Sequence, residues 1–334
     1  MPIADELRKL PATAIPWAKI EPSDVLELQL NVSWFEALSY MVKHRISSVP
    51  LKQNDHYVGH VDRYTFVHWA AEYTKKTILE AEASGNAPPS PDTISAEIIK
   101  LFTTQPLTHM DKAFFHSMNL IGTNDSAFDV VQTLSRPGVY RTYLTDNGKI
   151  CGIITQQGMF SWLVDQPFVR EHPELQKATI GTLLKASAGG NTKTKSSYVH
   201  FDLSTPAYIA ISAIKRNPTD KSLADGCVML GEEGTLITML RRRDLDEIAC
   251  REDLTLLCAT LSHVIAEARN SEVAATAGAI IVTSDALLLT VAKRLAASHF
   301  EQAFVSPIGG FMVSWASVEE VVSDGRIARY LLEQ

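Results

Sequence analysis

Apolar residues recur at three- and four-residue spacing in four places along the chain. Ala37, Leu38, Met41 and Val42 make the first stripe; Ala127, Phe128, Val130, Val131 and Leu134 make the second. The third follows Thr205-Pro206, and Leu287, Leu288, Val291 and Leu295 make the fourth. This spacing predicts helices that each offer one face to a sheet. A polar residue stands before each stripe. Ser33 with Glu36 three positions on has the form of a capping box. Ser126 and Ser284 are the expected caps of the second and fourth helices. Pro206 suits a first helical position, where its missing N–H costs nothing. A short strand precedes each helix, and two short apolar runs follow it. Gln53-Asn54-Asp55, Asp146-Asn147-Gly148, Gly231-Glu232-Glu233-Gly234 and Pro307-Ile308-Gly309-Gly310 join those runs with residues that hairpin turns favour.

The resulting order, β-α-β-β-α, occurs four times: from Val25, Met118, Tyr198 and Ala279. Successive expected caps at 33, 126, 205 and 284 lie 93, 79 and 79 residues apart. Self-similarity at a nearly fixed period marks a repeat architecture. The longer first interval is explained by the small, polar, proline-rich stretch Ala83 to Thr93, an exposed loop between helices. A second loop, Lys185 to Ser197, separates the two halves. The predicted fold class is α/β (α+β repeats), with an extension over 1–24 and repeats over 25–110, 111–185, 186–260 and 261–334.

Composition narrows the function. With 334 residues, 46% of them hydrophobic, the chain can bury a sizeable core. Its formal charge of −7, from 31 basic and 38 acidic residues, argues against a nucleic-acid partner. No apolar run reaches the roughly 18 residues of a membrane span. The leading residues lack a secretory core segment, so a cytoplasmic location is expected, with the nucleus also open. Cys151, Cys227, Cys250 and Cys258 form no CxxC pair and are expected as buried free thiols. His60, Asp62 and His68 lie close in sequence without a fixed metal geometry. Gly189 to Ser196 lacks the glycine and strand of a phosphate-binding loop. No nucleophile–base motif is visible, and the chain is expected not to be an enzyme. Trp34, Trp69, Trp162 and Trp315 are placed on helices.

Three fragments carry a family resemblance: Ile46-Ser47-Ser48-Val49-Pro50-Leu51, Cys151-Gly152-Ile153-Ile154-Thr155 and Arg243-Asp244-Leu245. Each copy resembles a CBS (cystathionine β-synthase type) repeat. Four in one chain resemble the γ regulatory subunits of AMP-activated (SNF1-type) protein kinases. The resemblance implies two tandem pairs stacked in a disc, with AMP, ADP or ATP in crevices between repeats. It implies protein partners, kinase catalytic and scaffold subunits or a larger assembly; no membrane partner is expected.

In that family an aspartate opening each repeat's last helix holds the ribose, and basic residues meet the phosphates. The matching positions here are Asp62 to Thr65, Thr155 to Gly158, Arg241 to Asp244 and Ser314 to Ser317. Only the third keeps the acid, Asp244. The resemblance therefore implies nucleotide contacts at Asp244, Thr205, Ala210 and Arg141. Helix capping beside a basic run is the plainer role for Asp244. Arg241-Arg242-Arg243 is expected as a solvated helix face. Ser47 and Glu301-Gln302 replace family cations, and residues 217–225 are inserted where relatives contact the base. The alternative is a scaffolding protein of the same fold that has lost nucleotide binding.

Overall fold

The structure, a computed structural model, describes residues 2–19, 25–54, 56–110, 117–136, 138–188, 198–213, 227–232, 234–250, 254–269, 279–298, 302–307, 313–314 and 320–334. The expected insertion at 217–225, Glu301, Trp315 and the glycines of the fourth turn lie outside them.

Helix α1 (Ile3–Lys9) and strand β1 (Ala18–Lys19) come first. Unit 1 contains β2 (Leu28–Gln29), α2 (Trp34–Lys43), β3 (Ser48–Gln53), β4 (His56–Asp62) and α3 (Arg63–Ala83), followed by α4 (Pro91–Thr104). Unit 2 contains β5 (Leu120–Gly122), α5 (Ala127–Leu134), β6 (Arg141–Asp146), β7 (Lys149–Thr155) and α6 (Gln156–Asp165). Short helices α7 (Pro167–Arg170) and α8 (Pro173–Lys177) lead to α9 (Ile180–Ala188). Unit 3 contains β8 (Tyr198–Asp202), α10 (Ala207–Ala213), β9 (Cys227–Glu232), β10 (Thr235–Leu240) and α11 (Arg242–Cys250), followed by α12 (Leu261–Arg269). Unit 4 contains β11 (Ile280–Val282), α13 (Leu288–Ser298), β12 (Gln302–Val305), β13 (Val313–Ser314), β14 (Glu320–Ser323) and α14 (Asp324–Leu332).

Every unit builds the same small sheet. Its first strand runs parallel to the second, and the second pairs antiparallel with the strand that leads into the last helix. A parallel neighbour requires a crossover, which the first helix of each unit supplies. Local chemistry sets the boundaries. Ser33 accepts a hydrogen bond from the Glu36 N–H while Glu36 accepts from the Ser33 N–H, the expected reciprocal cap. Ser126 and Asp129 repeat it on α5. Asn147 and Gly148 both take positive φ, 48° and 76°, as a tight two-residue hairpin demands.

Three expectations need correction. Helix α10 starts at Ala207, so Pro206 stands at the cap rather than inside the helix. Helix α13 starts at Leu288; Ser284 lies in the preceding turn, where its carbonyl accepts from the Gly181 N–H. The last helix of unit 4 begins at Asp324, capped by Ser323, and not near Ser314. Ser314 belongs instead to β13, which pairs with β10 of unit 3. The long stretch between β12 and β14 hides that shift from sequence spacing.

A further element was not anticipated. Each unit's first helix is clasped at its start by a segment that precedes the neighbouring unit of the same pair. Residues 10–12 clasp unit 2: the Ala12 N–H donates to the Asp125 carbonyl, and the Ala127 N–H to the Leu10 carbonyl. Residues 105–107 clasp unit 1 through Trp34 and Val32. Residues 178–180 clasp unit 4 through Leu288 and Ala286, and residues 259–261 clasp unit 3 through Ala207 and Thr205. These bonds satisfy N–H groups that a helix start leaves without an internal partner. The exchange of clasps binds unit 1 to unit 2 and unit 3 to unit 4, the expected tandem pairs.

The hydrophobic cores run across the pairs. One unites units 1 and 3 through Met41, Phe66, Phe102, Ala210 and Leu257. The other unites units 2 and 4 through Val130, Phe160, Phe304 and Ile327, reaches Leu236 and Met239 on β10 of unit 3, and takes in Ile3, Leu7, Ala12 and Ile15. The leading residues are therefore core of units 2 and 4.

Candidate functional site: the crevice between units

Strand register identifies equivalent positions at the start of each last helix. Ser48 lies opposite Asp62, Arg141 opposite Thr155, and Gln302 opposite Ser323. Asp62, Thr155 and Ser323 each cap the helix that follows. Ser48, one residue beyond the expected Ser47, thus occupies the place that Arg141 holds in unit 2. Gln302 holds it in unit 4, as expected.

Arg141 opens β6 and reaches across to unit 1. Its Nη1 donates to the Ser47 hydroxyl at 3.3 Å and to the Ser48 hydroxyl. Ser48 Oγ lies 3.5 Å from the hydroxyl of Tyr143. Tyr143, 0% exposed, sets its ring edge-on to His60 with centroids 5.7 Å apart. Burial pushes the Tyr143 hydroxyl pKa up against the opposing pull of Arg141 and Ser48, and the Asp62 charge adds to the rise. Asp62 is itself buried and accepts from the Thr65 N–H and hydroxyl, each at 2.9 Å. Unit 1 therefore carries an acid at the cap and a threonine three residues on. Where units 1 and 2 meet, one guanidinium touches serine hydroxyls beside a tyrosine hydroxyl, a donor set suited to an anion.

Asp244 sits elsewhere, inside unit 3. Its carboxylate is 1% exposed and filled by two arginines. Arg241 donates from its backbone N–H at 2.9 Å and from Nη2 at 2.7 Å. Arg269, at the end of α12, donates from Nε at 3.1 Å and Nη2 at 2.8 Å. Burial alone would raise the carboxyl pKa; the bonds and charges of Arg269 and Arg241 outweigh it and hold the group below the ordinary aspartate range. The basic run is not uniformly solvated. Arg241 is ion-paired and largely covered, Arg243 is exposed, and the Arg242 side chain lies outside the described set. Thr205 is half-buried at the bend before α10, and Ala210 is fully buried in the core of units 1 and 3. The structure thus joins Arg141 to unit 1 and keeps Asp244, Thr205 and Ala210 in unit 3.

Tyr143 and Arg269 had no sequence signal, since the partner of each lies far along the chain; His60 stood out only in a loose group with Asp62 and His68, not beside Tyr143. Cys151, Cys250 and Cys258 are half-buried thiols; the Cys227 side chain lies outside the described residues. Burial raises the Cys250 and Cys258 thiols above their usual pKa. Among the described residues no histidine, cysteine and acid cluster could hold a metal, and no helix is long and apolar enough to cross a membrane.

No family model matches the chain, and no curated protein does. Solved structures do. A Methanocaldococcus jannaschii protein, proposed to be an archaeal homolog of g-AMPK, superposes with a TM-score of 0.59. The match covers 96% of this chain and 99% of that one at 10% identity. The chain has the fold of a four-CBS-repeat protein. In architecture it resembles that γ-type homolog along nearly its whole length. An uncharacterized conserved protein of Pyrococcus horikoshii matches 96% of this chain and 98% of its own at 12% identity, with a TM-score of 0.44. The CBS domain of a bacterial CNNM/CorC family Mg2+ transporter matches 48% of this chain and 80% of its own at 17% identity, with a TM-score of 0.31. These two superpose only loosely.

Proposed function

We propose that this CBS-repeat chain is a non-catalytic regulatory subunit that senses an adenine nucleotide and signals to a protein partner of the kinase type. Arg141 supports this function most directly: a cation from unit 2 meets the hydroxyls of unit 1 where the two units touch. An anionic ligand there touches two units at once and favours the packing that contacts both. Thr205, Ala210 and Asp244 are the proposed nucleoside side, and ribose contact requires Asp244 to exchange its present partners. Calorimetry of the full chain with AMP, ADP and ATP tests the proposal. Arg141→Ala should weaken binding by at least about tenfold, since hydrogen bonds to a charged group contribute roughly 1.5–3 kcal/mol. No binding at sub-millimolar nucleotide overturns it.

A second function, scaffolding without a ligand, is favoured by the filled Asp244 carboxylate and by Ser48 and Gln302 at the arginine's place. Purification of the native complex, with its subunits identified and its nucleotide response measured, separates the two.

A further inference from the structure

We propose that Arg269 is a built-in occupant of the unit 3 acceptor, an autoinhibitory contact that a sugar-bearing ligand must displace to reach Asp244. The inference rests on the nucleotide reading of this chain.

The chemistry is a matter of matching donors. An ionised carboxylate only accepts, and it is recognised by two donors side by side. A cis-diol offers two O–H groups; a guanidinium edge offers two N–H groups in a fixed fork. Arg269 places Nε on one Asp244 oxygen at 3.1 Å and Nη2 on the other at 2.8 Å. It makes the hydrogen-bond pair that a diol would make.

The contact is also held from behind. Arg269 Nη1 donates to the Thr238 hydroxyl at 3.1 Å, and Nη2 to the Met239 carbonyl at 2.9 Å. Both members of the pair are 1% exposed. A charge buried that deeply stays only when paired, so the fork holds unit 3 in a ligand-like state without a ligand. Arg241 keeps Asp244 charged when Arg269 leaves, which makes displacement chemically reasonable rather than a bare buried acid.

Calorimetry of the full chain with AMP and 2′-deoxy-AMP tests this. Arg269→Gln should bind AMP at least about tenfold more tightly than the wild type, and 2′-deoxy-AMP should not share the gain. A folded Arg269→Gln chain whose AMP affinity is unchanged, or whose gain 2′-deoxy-AMP shares equally, overturns the proposal. Should that variant fail to fold, Thr238→Val decides, because it removes one of the bonds that hold Arg269 in place. AMP affinity should then rise by about threefold or more, the order of one lost hydrogen bond, without an equal gain for 2′-deoxy-AMP; unchanged AMP affinity overturns the proposal. Wild-type binding that Arg141→Ala weakens, alongside an unresponsive Arg269→Gln, would leave the nucleotide reading standing and remove only this one. No AMP binding by either the wild type or Arg269→Gln would overturn both.

Discussion

Leu7→Ala probes the exchange of clasps. Leu7 lies on α1, ahead of unit 1, yet its side chain is 0% exposed in the core of units 2 and 4. Ile3 and Ile15 are as deeply buried on either side of it. The bonds of residues 10–12 to the start of α5 fix the segment, so the cavity cannot close by a simple shift. Truncating a fully buried leucine to alanine costs about 2–5 kcal/mol, and the upper half of that range applies where the surroundings cannot relax. Against a total of roughly 5–15 kcal/mol for a folded domain, the loss is large. Urea unfolding followed by circular dichroism measures it, and hydrogen exchange by mass spectrometry locates it. Faster exchange is expected in α5 and α14, with α3, α10 and α11 unchanged. A cost below about 0.5 kcal/mol, or exchange that rises in unit 1 instead, would refute the assignment of this segment to units 2 and 4.

Two other tests address stability. Ser33→Ala removes one side of the reciprocal cap on α2 and should cost about 1 kcal/mol by the same unfolding assay; an unchanged midpoint would count against the cap. Asp244 has a folded pKa below its unfolded one, so its contribution is present above an unfolded pKa of about 4 and is lost as pH falls through the folded value. The melting temperature of the wild type should exceed that of Asp244→Asn by a constant margin above about pH 5, and the margin should shrink on acidification. A margin independent of pH between 6 and 3 would mean that the carboxylate charge contributes nothing.

The sites were legible in unequal degree. Arg141 stands in the sequence only as one cation after Tyr140, and the resemblance placed it near a ligand. Its tie to Ser48 spans 93 positions, a separation that no spacing rule reaches. Asp244 was visible as an acid opening a helix, but Arg269, 25 residues on, ends an ordinary helical run. The clasps have a short sequence pattern of their own. Pro11-Ala12, Pro106-Leu107, Thr179-Ile180 and Thr260-Leu261 each precede another apolar residue by three: Ile15, Met110, Leu183 and Val264. All eight apolar members are buried.

The sequence alone determined the four units, their first strand and helix, the caps Ser33 and Ser126 and the Asn-Gly turn. Those features rest on contacts within about four residues, where period and capping chemistry act directly on the backbone. Tertiary structure decided that units 1 and 3 share one core and units 2 and 4 the other, that clasps are exchanged, and that α14 begins at Asp324. Each of those choices selects among similar apolar faces by shape and packing, and four copies of one pattern cannot say which copy meets which.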